Sequence, residues 1–238
     1  EALYLLIRAT EADSQLFPAW VNLANTYYQL NKLSEAITSC QKAIAINPNI
    51  FNAYFLLGSI LLKQKKLQEA EKSIRKAIAL NPNLFSSHFL LGKILIGQKK
   101  LQEAEQTLRK TIELKPDFLQ VHLHLGAVLK ELGKAQEAEI ACSKAIDLNP
   151  NLFNSHFLLG SILIDQKKLQ EAKQALRKTI ELKPDFFRAH LNLGAVLQDL
   201  GQLQEAELAT RKSIELNPDF FNSHFLLGTI LIEQKKLK

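Results

Sequence analysis

The sequence predicts an all-α solenoid of stacked helix pairs, and three rows of residues predict it. Prolines recur at 48, 82, 116, 150, 184 and 218. Glycines recur at 58, 92, 126, 160, 194 and 228, and alanines at 36, 70, 104, 138, 172 and 206, every interval being 34 residues. Only Pro18 and three glycines, Gly97, Gly133 and Gly201, lie off these rows. A fixed period of this length marks an array of one supersecondary unit whose neighbours bury a shared core.

The unit reads as two helices. Phe153 to about Gln166 crowds apolar residues together (Phe157, Leu158, Leu159, Ile162, Leu163, Ile164), which predicts a first helix, A, apolar nearly all round. A Lys167-Lys168 turn follows. From Leu169 to Leu182 the apolar positions fall at Leu169, Ala172, Leu176, Ile180 and Leu182 with charges between, the 3.6-residue stripe of a second helix, B. Lys183-Pro184 stops helix B, because the residue before proline disfavours helical geometry and proline has no N–H to donate. Asp185 is then placed to cap the next helix A. Gly160 and Ala172 fall where the two antiparallel helices cross and must approach closely. Counted this way, residues 1–16 form a half repeat (helix B), 17–50, 51–84, 85–118, 119–152, 153–186 and 187–220 form six full repeats, and 221–238 form a second half repeat (helix A).

The set Trp20, Leu23, Ala24, Tyr27, Ala36, Ala43 and Pro48 resembles the tetratricopeptide repeat motif, and the resemblance covers the whole chain through Leu227-Gly228. Where that motif has Trp, later repeats carry Tyr54, His88, His122, His156, His190 and His224. The resemblance implies a right-handed superhelix with its A helices on the concave face, and a protein-binding scaffold. A second periodicity lies within the first: 85–118 matches 153–186 at 29 of 34 positions but its neighbour 119–152 at only 13, so two repeat types exist. One reads SHFLLGxILIxQKKLQEA and the other HLxLGAVLxxLGxxQEAE.

Composition excludes several classes of protein. With 47% hydrophobic and 23% charged residues the chain reads as folded rather than disordered. No apolar run approaches the 18 or more residues of a membrane span. Glu1-Ala2-Leu3 opens the chain without a basic n-region, so no signal peptide is visible. Two cysteines exclude a disulfide scaffold. The net charge is +6, the charged residues are spread along the chain, and a nucleic-acid partner is not expected.

Reactive constellations are not found, and we expect no catalytic residue, cofactor or metal. The histidine row is one residue per repeat, and helices 8–10 Å apart cannot bring successive imidazoles onto a zinc that needs nitrogens at about 2 Å. Histidine here reads as a filler of the motif's aromatic slot. Gly92, Gly97 and Lys99 imitate a phosphate loop but lack the Gly-Lys-Ser/Thr ending and fall inside a helix A. Cys40 and Cys142 occupy one helix-B core slot and read as small buried hydrophobes. The lysine pairs at 65–66, 99–100, 167–168 and 235–236 lie in A-to-B turns and form a basic edge.

Two surfaces are expected to bind. The concave face carries Phe55, Phe89, Phe157 and Phe225, with Leu62, Ile96, Ile164 and Ile232 further along, while the second repeat type places Lys130, Glu131, Gln198 and Asp199 there. A peptide, a helix or another protein chain in this groove is the expected partner. The second surface is a joint between chains. Lys238 is at position 18 of a repeat and Glu1 at position 19, so Lys235-Lys236-Leu237-Lys238 followed by Glu1-Ala2-Leu3 reads as a continuing repeat. Leu3, Leu6 and Ile7 at one end and Phe225, Leu227, Ile230 and Leu231 at the other are expected exposed, and docked head to tail they complete a repeat. The function expected is a non-catalytic interaction scaffold assembling into a helical filament. The alternative is the repeat arm of a larger enzyme, glycosyl- or sulfotransferase-like, whose catalytic domain lies outside these residues.

Overall fold

The computed structural model describes residues 1–236; Leu237 and Lys238, the last residues of the expected segment 221–238, lie outside the described residues. The helices are α1 (Ala2–Ala12), α2 (Phe17–Gln29), α3 (Leu33–Ile46), α4 (Phe51–Lys63), α5 (Leu67–Leu80), α6 (Phe85–Gly97), α7 (Leu101–Leu114), α8 (Leu119–Glu131), α9 (Ala135–Leu148), α10 (Phe153–Asp165), α11 (Leu169–Leu182), α12 (Phe187–Asp199), α13 (Leu203–Leu216) and α14 (Phe221–Lys236). No strand occurs among the described residues. The chain forms two compact units, Glu1–Pro116 and Asp117–Lys238.

Within each unit the helices follow one contact scheme. A and B helices of a repeat pack together (α2 on α3, α4 on α5, α10 on α11, α12 on α13), and each B then meets the following A (α3 on α4, α5 on α6, α11 on α12). Successive A helices also touch, as α2 does α4 and α10 does α12. Even-numbered α2–α14 are thus the A helices, and odd-numbered α1–α13 the B helices. The architecture is the expected all-α solenoid, unit by unit.

The turns explain why the pairs are antiparallel. After each helix A from α2 to α12 one residue takes a left-handed backbone: Asn31 (φ 60°), Lys65 (61°), Lys99 (61°), Gly133 (75°), Lys167 (62°) and Gly201 (71°). At Lys167 its N–H donates to Ile164 O at 2.9 Å, while Lys168 N–H reaches back to Leu163 O at 2.9 Å. This pair closes the helix end with orphan carbonyls satisfied and reverses the chain. Helix B matches the sequence reading at both ends in α11, and α10 stops one residue before Gln166.

Asp185 does not cap. The residue at the helix start is Phe186, without a side-chain cap, and Ala189 N–H donates to the Phe186 carbonyl at 2.9 Å. Pro184-Asp185 sit one residue too early, inside a turn closed by Phe186 N–H to Lys183 O at 3.2 Å, and the carboxylate pairs with Lys183 Nζ at 3.1 Å.

The glycine row marks the A–B crossing, as its spacing predicts. A Cβ on Gly160 would stand 3.0 Å from Leu176 Cγ, one on Gly58 2.5 Å from Ile74, and one on Gly92 2.7 Å from Leu108. The alanine row beside it is fully buried. In the second unit Leu163, Leu176, Leu193, Val196, Leu197 and Ile230 form a continuous core, and in the first Ala24, Ala36, Cys40, Leu56 and Ile60 do so. Cys40 and Cys142 are buried free thiols whose pKa burial pushes up to about 12, which keeps them protonated and inert.

Candidate functional site

The expected groove residues recur at two positions of helix A. Phe55, Phe89 and Phe157 are half-buried, as are Leu62, Ile96 and Ile164. Phe157 and Ile164 lean on the second core, and Phe157 packs edge-on against Phe186 with centroids 4.8 Å apart. Phe153 meets the same ring at 5.4 Å. Phe186, which enters α12, therefore covers both phenylalanines of α10. At α14 this cover is missing: Phe225 is 74% exposed and Ile232 57%. Two of the four polar residues expected there, Lys130 and Gln198, are paired within the second unit. Lys130 Nζ reaches Asp165 at 3.1 Å, and Gln198 Nε2 donates to Glu233 at 2.7 Å.

The aromatic slot does more than fill space. Trp20 Nε1 donates to the carbonyl of Ser14, six residues back, at 3.0 Å. His156 and His190 place Nε2 2.8 Å from the carbonyls of Pro150 and Pro184, again six residues back, and His88 does so to Pro82. A carbonyl only accepts, so Nε2 carries the hydrogen and each imidazole clamps the loop before its helix. The constant six-residue spacing from proline to histidine was the available signal. Among the described residues no cluster of three or more His, Cys, Asp or Glu fit to hold a metal occurs.

The basic edge is partly spent on stacking repeats. Lys100 Nζ pairs with Glu71 of the preceding helix B at 2.8 Å, and Lys168 with Glu139 at 2.9 Å. Gln166 Nε2 adds bonds to Ala135 O at 3.1 Å and to Glu139 at 3.0 Å. Glu71 is held at a pKa of about 2 by the Lys100 bond first, against its own burial, with Arg75 helping. Glu139 is lowered in the same sense, chiefly by Lys168.

The outermost helices differ from all the others in one face. On α14, a Cβ at Gly228 would meet nothing within 4 Å. Leu227 and Leu231 are half-buried, whereas the residues equivalent to Leu231 (Leu61, Leu95, Leu129, Leu163, Leu197) are at most 4% exposed. Ile230 departs from the expectation. It is fully buried in the second core, because its helix-A position faces the preceding repeat, as Ile162 and Val196 do. On α1, Leu3, Leu6 and Ile7 are half-buried, and Tyr4 (65%) and Leu5 (57%) are the exposed large side chains. Tyr4 shares its outward position with Ile140 and Leu208, but Leu5 occupies a position that is buried at Ser39, Ala141 and Ala175. Leu6 stands where Ile74, Leu108 and Leu176 are wholly buried against the glycine of their own repeat.

The family model for the cilia and flagella-associated protein 70 C-terminal domain matches residues 2–191, and that for the tetratricopeptide repeat matches 187–220. The chain belongs to the tetratricopeptide repeat family. Solved structures of similar fold include the tetratricopeptide protein YrrB, described as having an unusual peptide-binding site (21% identity, TM-score 0.71, covering 77% of this chain and 95% of that one). PilF of Pseudomonas aeruginosa is 20% identical at a TM-score of 0.76, covering 90% and 97%. The C-terminal part of a tetratricopeptide repeat-containing protein of Cytophaga hutchinsonii is 16% identical at 0.77, covering 94% and 93%. No curated protein matches in sequence. Among the described residues of this tetratricopeptide array no helix is long and apolar enough to cross a membrane.

Proposed function

We propose that this tetratricopeptide chain is a non-catalytic protein-interaction scaffold whose first partner is another copy of itself, bound head to tail. The description of YrrB as peptide-binding supports the scaffold class. The complementarity of two faces within the chain supports the self-partner. In five repeats the glycine of helix A meets one helix-B residue: Gly58 meets Ile74, Gly92 Leu108, Gly126 Cys142, Gly160 Leu176 and Gly194 Thr210. Gly228 has the notch without the filler, and Leu6 is a filler without the notch. Docking α14 of one chain on α1 of the next seats Leu6 over Gly228 and covers Leu5, Leu227 and Leu231 in the way every internal repeat is covered. That is apolar burial on a surface already shaped for it. The contact is heterologous, so it propagates into a filament unless the rotation closes a ring.

Sedimentation velocity at micromolar concentration tests this. The 238-residue chain is expected to sediment as a concentration-dependent series. Gly228→Leu fills the notch with a side chain of the same chain and should give monomer at unchanged helicity; Leu6→Asp should do the same. A wild-type monomer, or a series that both variants leave intact, ends the proposal.

A further inference from the structure

Grooves open at equivalent places between successive helices B, with no phenylalanine among their lining residues: between α1 and α3 (440 Å³), between α3 and α5 (730 Å³) and between α9 and α11 (480 Å³). Each has a floor made by the aromatic slot and a leucine of the intervening helix A: Trp20 and Leu23, Tyr54 and Leu57, His156 and Leu159. Equivalent geometry makes their differences informative.

Two differences single out the α3–α5 groove. The first is its floor. Trp20 and His156 spend their ring N–H on a loop carbonyl, whereas the Tyr54 hydroxyl hydrogen-bonds no described residue. The second is its rim. Glu11 and Glu35 line the first groove, and Glu139, Asp147 and Glu171 the third, opposed there by Lys178. The α3–α5 groove is edged by Lys72, Arg75 and Lys76 with no carboxylate among its lining residues, over apolar walls that include Ile44 and Ala45. Arg75 is engaged by Glu71 and Glu103, but Lys72 and Lys76 have no ion-pair partner among the described residues. The unit that holds this groove has 15 Lys and Arg against 9 Asp and Glu (+6), while the other has 15 of each (0).

We propose that the α3–α5 groove is a docking site for an acidic segment of a partner protein that inserts a large apolar side chain over Leu57 and Tyr54 and sets its carboxylates against Lys72 and Lys76. An apolar pocket ringed by unpaired cations selects for that combination: the anchor supplies burial, and the charges steer and orient it. A nucleic-acid backbone would satisfy the two lysines and leave the apolar floor unfilled. The site is independent of the head-to-tail joint, because neither α1 nor α14 lines it.

The test is fluorescence anisotropy of the 238-residue chain with a labelled eleven-residue peptide of alternating Phe and Glu, at low salt. Saturable binding is expected, weakened about tenfold by Lys72→Glu with Lys76→Glu, and unaffected by the corresponding Gln174→Glu with Lys178→Glu. Circular dichroism confirms the fold of each variant. Tyr54→Phe should weaken binding by a smaller factor, since it removes only the one hydrogen bond that the otherwise unengaged hydroxyl would make to the docked segment. Absence of saturable binding overturns the proposal, and so does binding unchanged in the Lys72, Lys76 variant. Equal affinity for a Phe-Gln peptide, or displacement by oligothymidylate of the same charge, likewise overturns it.

Discussion

Residues 153–168 and 221–236 carry the same sequence but for Ser161/Thr229 and Asp165/Glu233, yet the structure treats them differently. The first is α10 and its turn, with a helix B folded back on it; the second is α14. Gly160 faces Leu176 at 3.0 Å and Gly228 faces nothing; Leu163 is 3% exposed and Leu231 half-buried; Phe157 packs on Phe186 and Phe225 is 74% exposed. What stays constant is the contact with the preceding repeat: Ile162 and Ile230 are both fully buried, and Gln166 and Gln234 both bond the preceding helix B. The helix is thus held from behind and only finished from the front. Burial in a repeat array belongs to the interface between neighbours, and an amino-acid pattern specifies the interface without supplying the neighbour.

The largest expected effect follows directly. Gly160→Leu drives a side chain into Leu176 and should cost about 3 kcal/mol or more. Gly228→Leu enters open space and replaces a helical glycine, so the monomer should gain up to about 1 kcal/mol. Thermal melts of the two variants, measured at a concentration where the chain is monomeric, decide it. Equal losses would show that the two helices are equally covered after all.

The period, the helix pairs and the A–B crossing were legible because each rests on a local rule: proline stops, apolar spacing, and a glycine where backbones approach. What was not legible depended on packing between elements. Ile230 reads as part of one apolar helix in the sequence, and only the stacked repeat shows that its face is already taken. Asp185 has the right chemistry for a cap and the wrong register by one residue. The histidine row was legible as a filled aromatic slot, but its bond to a proline carbonyl six residues back needs the loop conformation. The helix-B grooves have no pattern of their own, since residues from three helices meet to line each.

The shared contact with the preceding repeat makes a second prediction, in acid. Glu71 has its carboxyl lowered from 4.5 to about 2 by Lys100 and Arg75. A lowered folded pKa contributes stability above the unfolded value, lost as pH falls from about 4.5 towards 2. Unfolding free energy should drop by about 1–3 kcal/mol across that window, less in high salt. In Glu71→Gln that portion of the slope should vanish while the Glu139 pair keeps a smaller one. An unchanged acid limb in this variant would show that the inter-repeat pair is not what acid removes.

Ser155 and Ser223, another matched pair from the two segments, should respond with opposite signs. The Ser223 hydroxyl lies 2.9 Å from Ser213 Oγ, which itself donates to Phe187 O, so Ser223 is the donor in the pair. Ten residues before Ser87 and Ser155, where Ser213 precedes Ser223, stand Ala77 and Ala145, and the hydroxyls of Ser87 and Ser155 are buried without a partner. Ser155→Ala and Ser87→Ala should each stabilise by about 1 kcal/mol, and Ser223→Ala should destabilise by about 0.5–1 kcal/mol. Urea midpoints at constant slope measure both signs.

The smallest effect concerns the turns that join the helices. Lys65, Lys99 and Lys167 hold a left-handed backbone that repeats 119–152 and 187–220 give to Gly133 and Gly201. An L side chain there costs roughly 1–2 kcal/mol, and glycine returns part of the gain through the greater freedom it loses on folding, roughly 0.5–1 kcal/mol. Each Lys→Gly replacement should therefore stabilise by about 0.5 kcal/mol, and Gly133→Lys or Gly201→Lys should cost a similar amount. One site is too small to read with certainty, so the triple replacement is the useful variant, expected about 1–2 kcal/mol more stable if the sites are independent. Raising the salt concentration separates backbone from charge. A gain caused by φ persists at 1 M salt, whereas one caused by removing three cations from a crowded basic edge shrinks with screening. A triple variant that gains nothing at high salt would mean that the lysines sit in these turns without strain, and that the contrast between the two repeat types lies in charge alone.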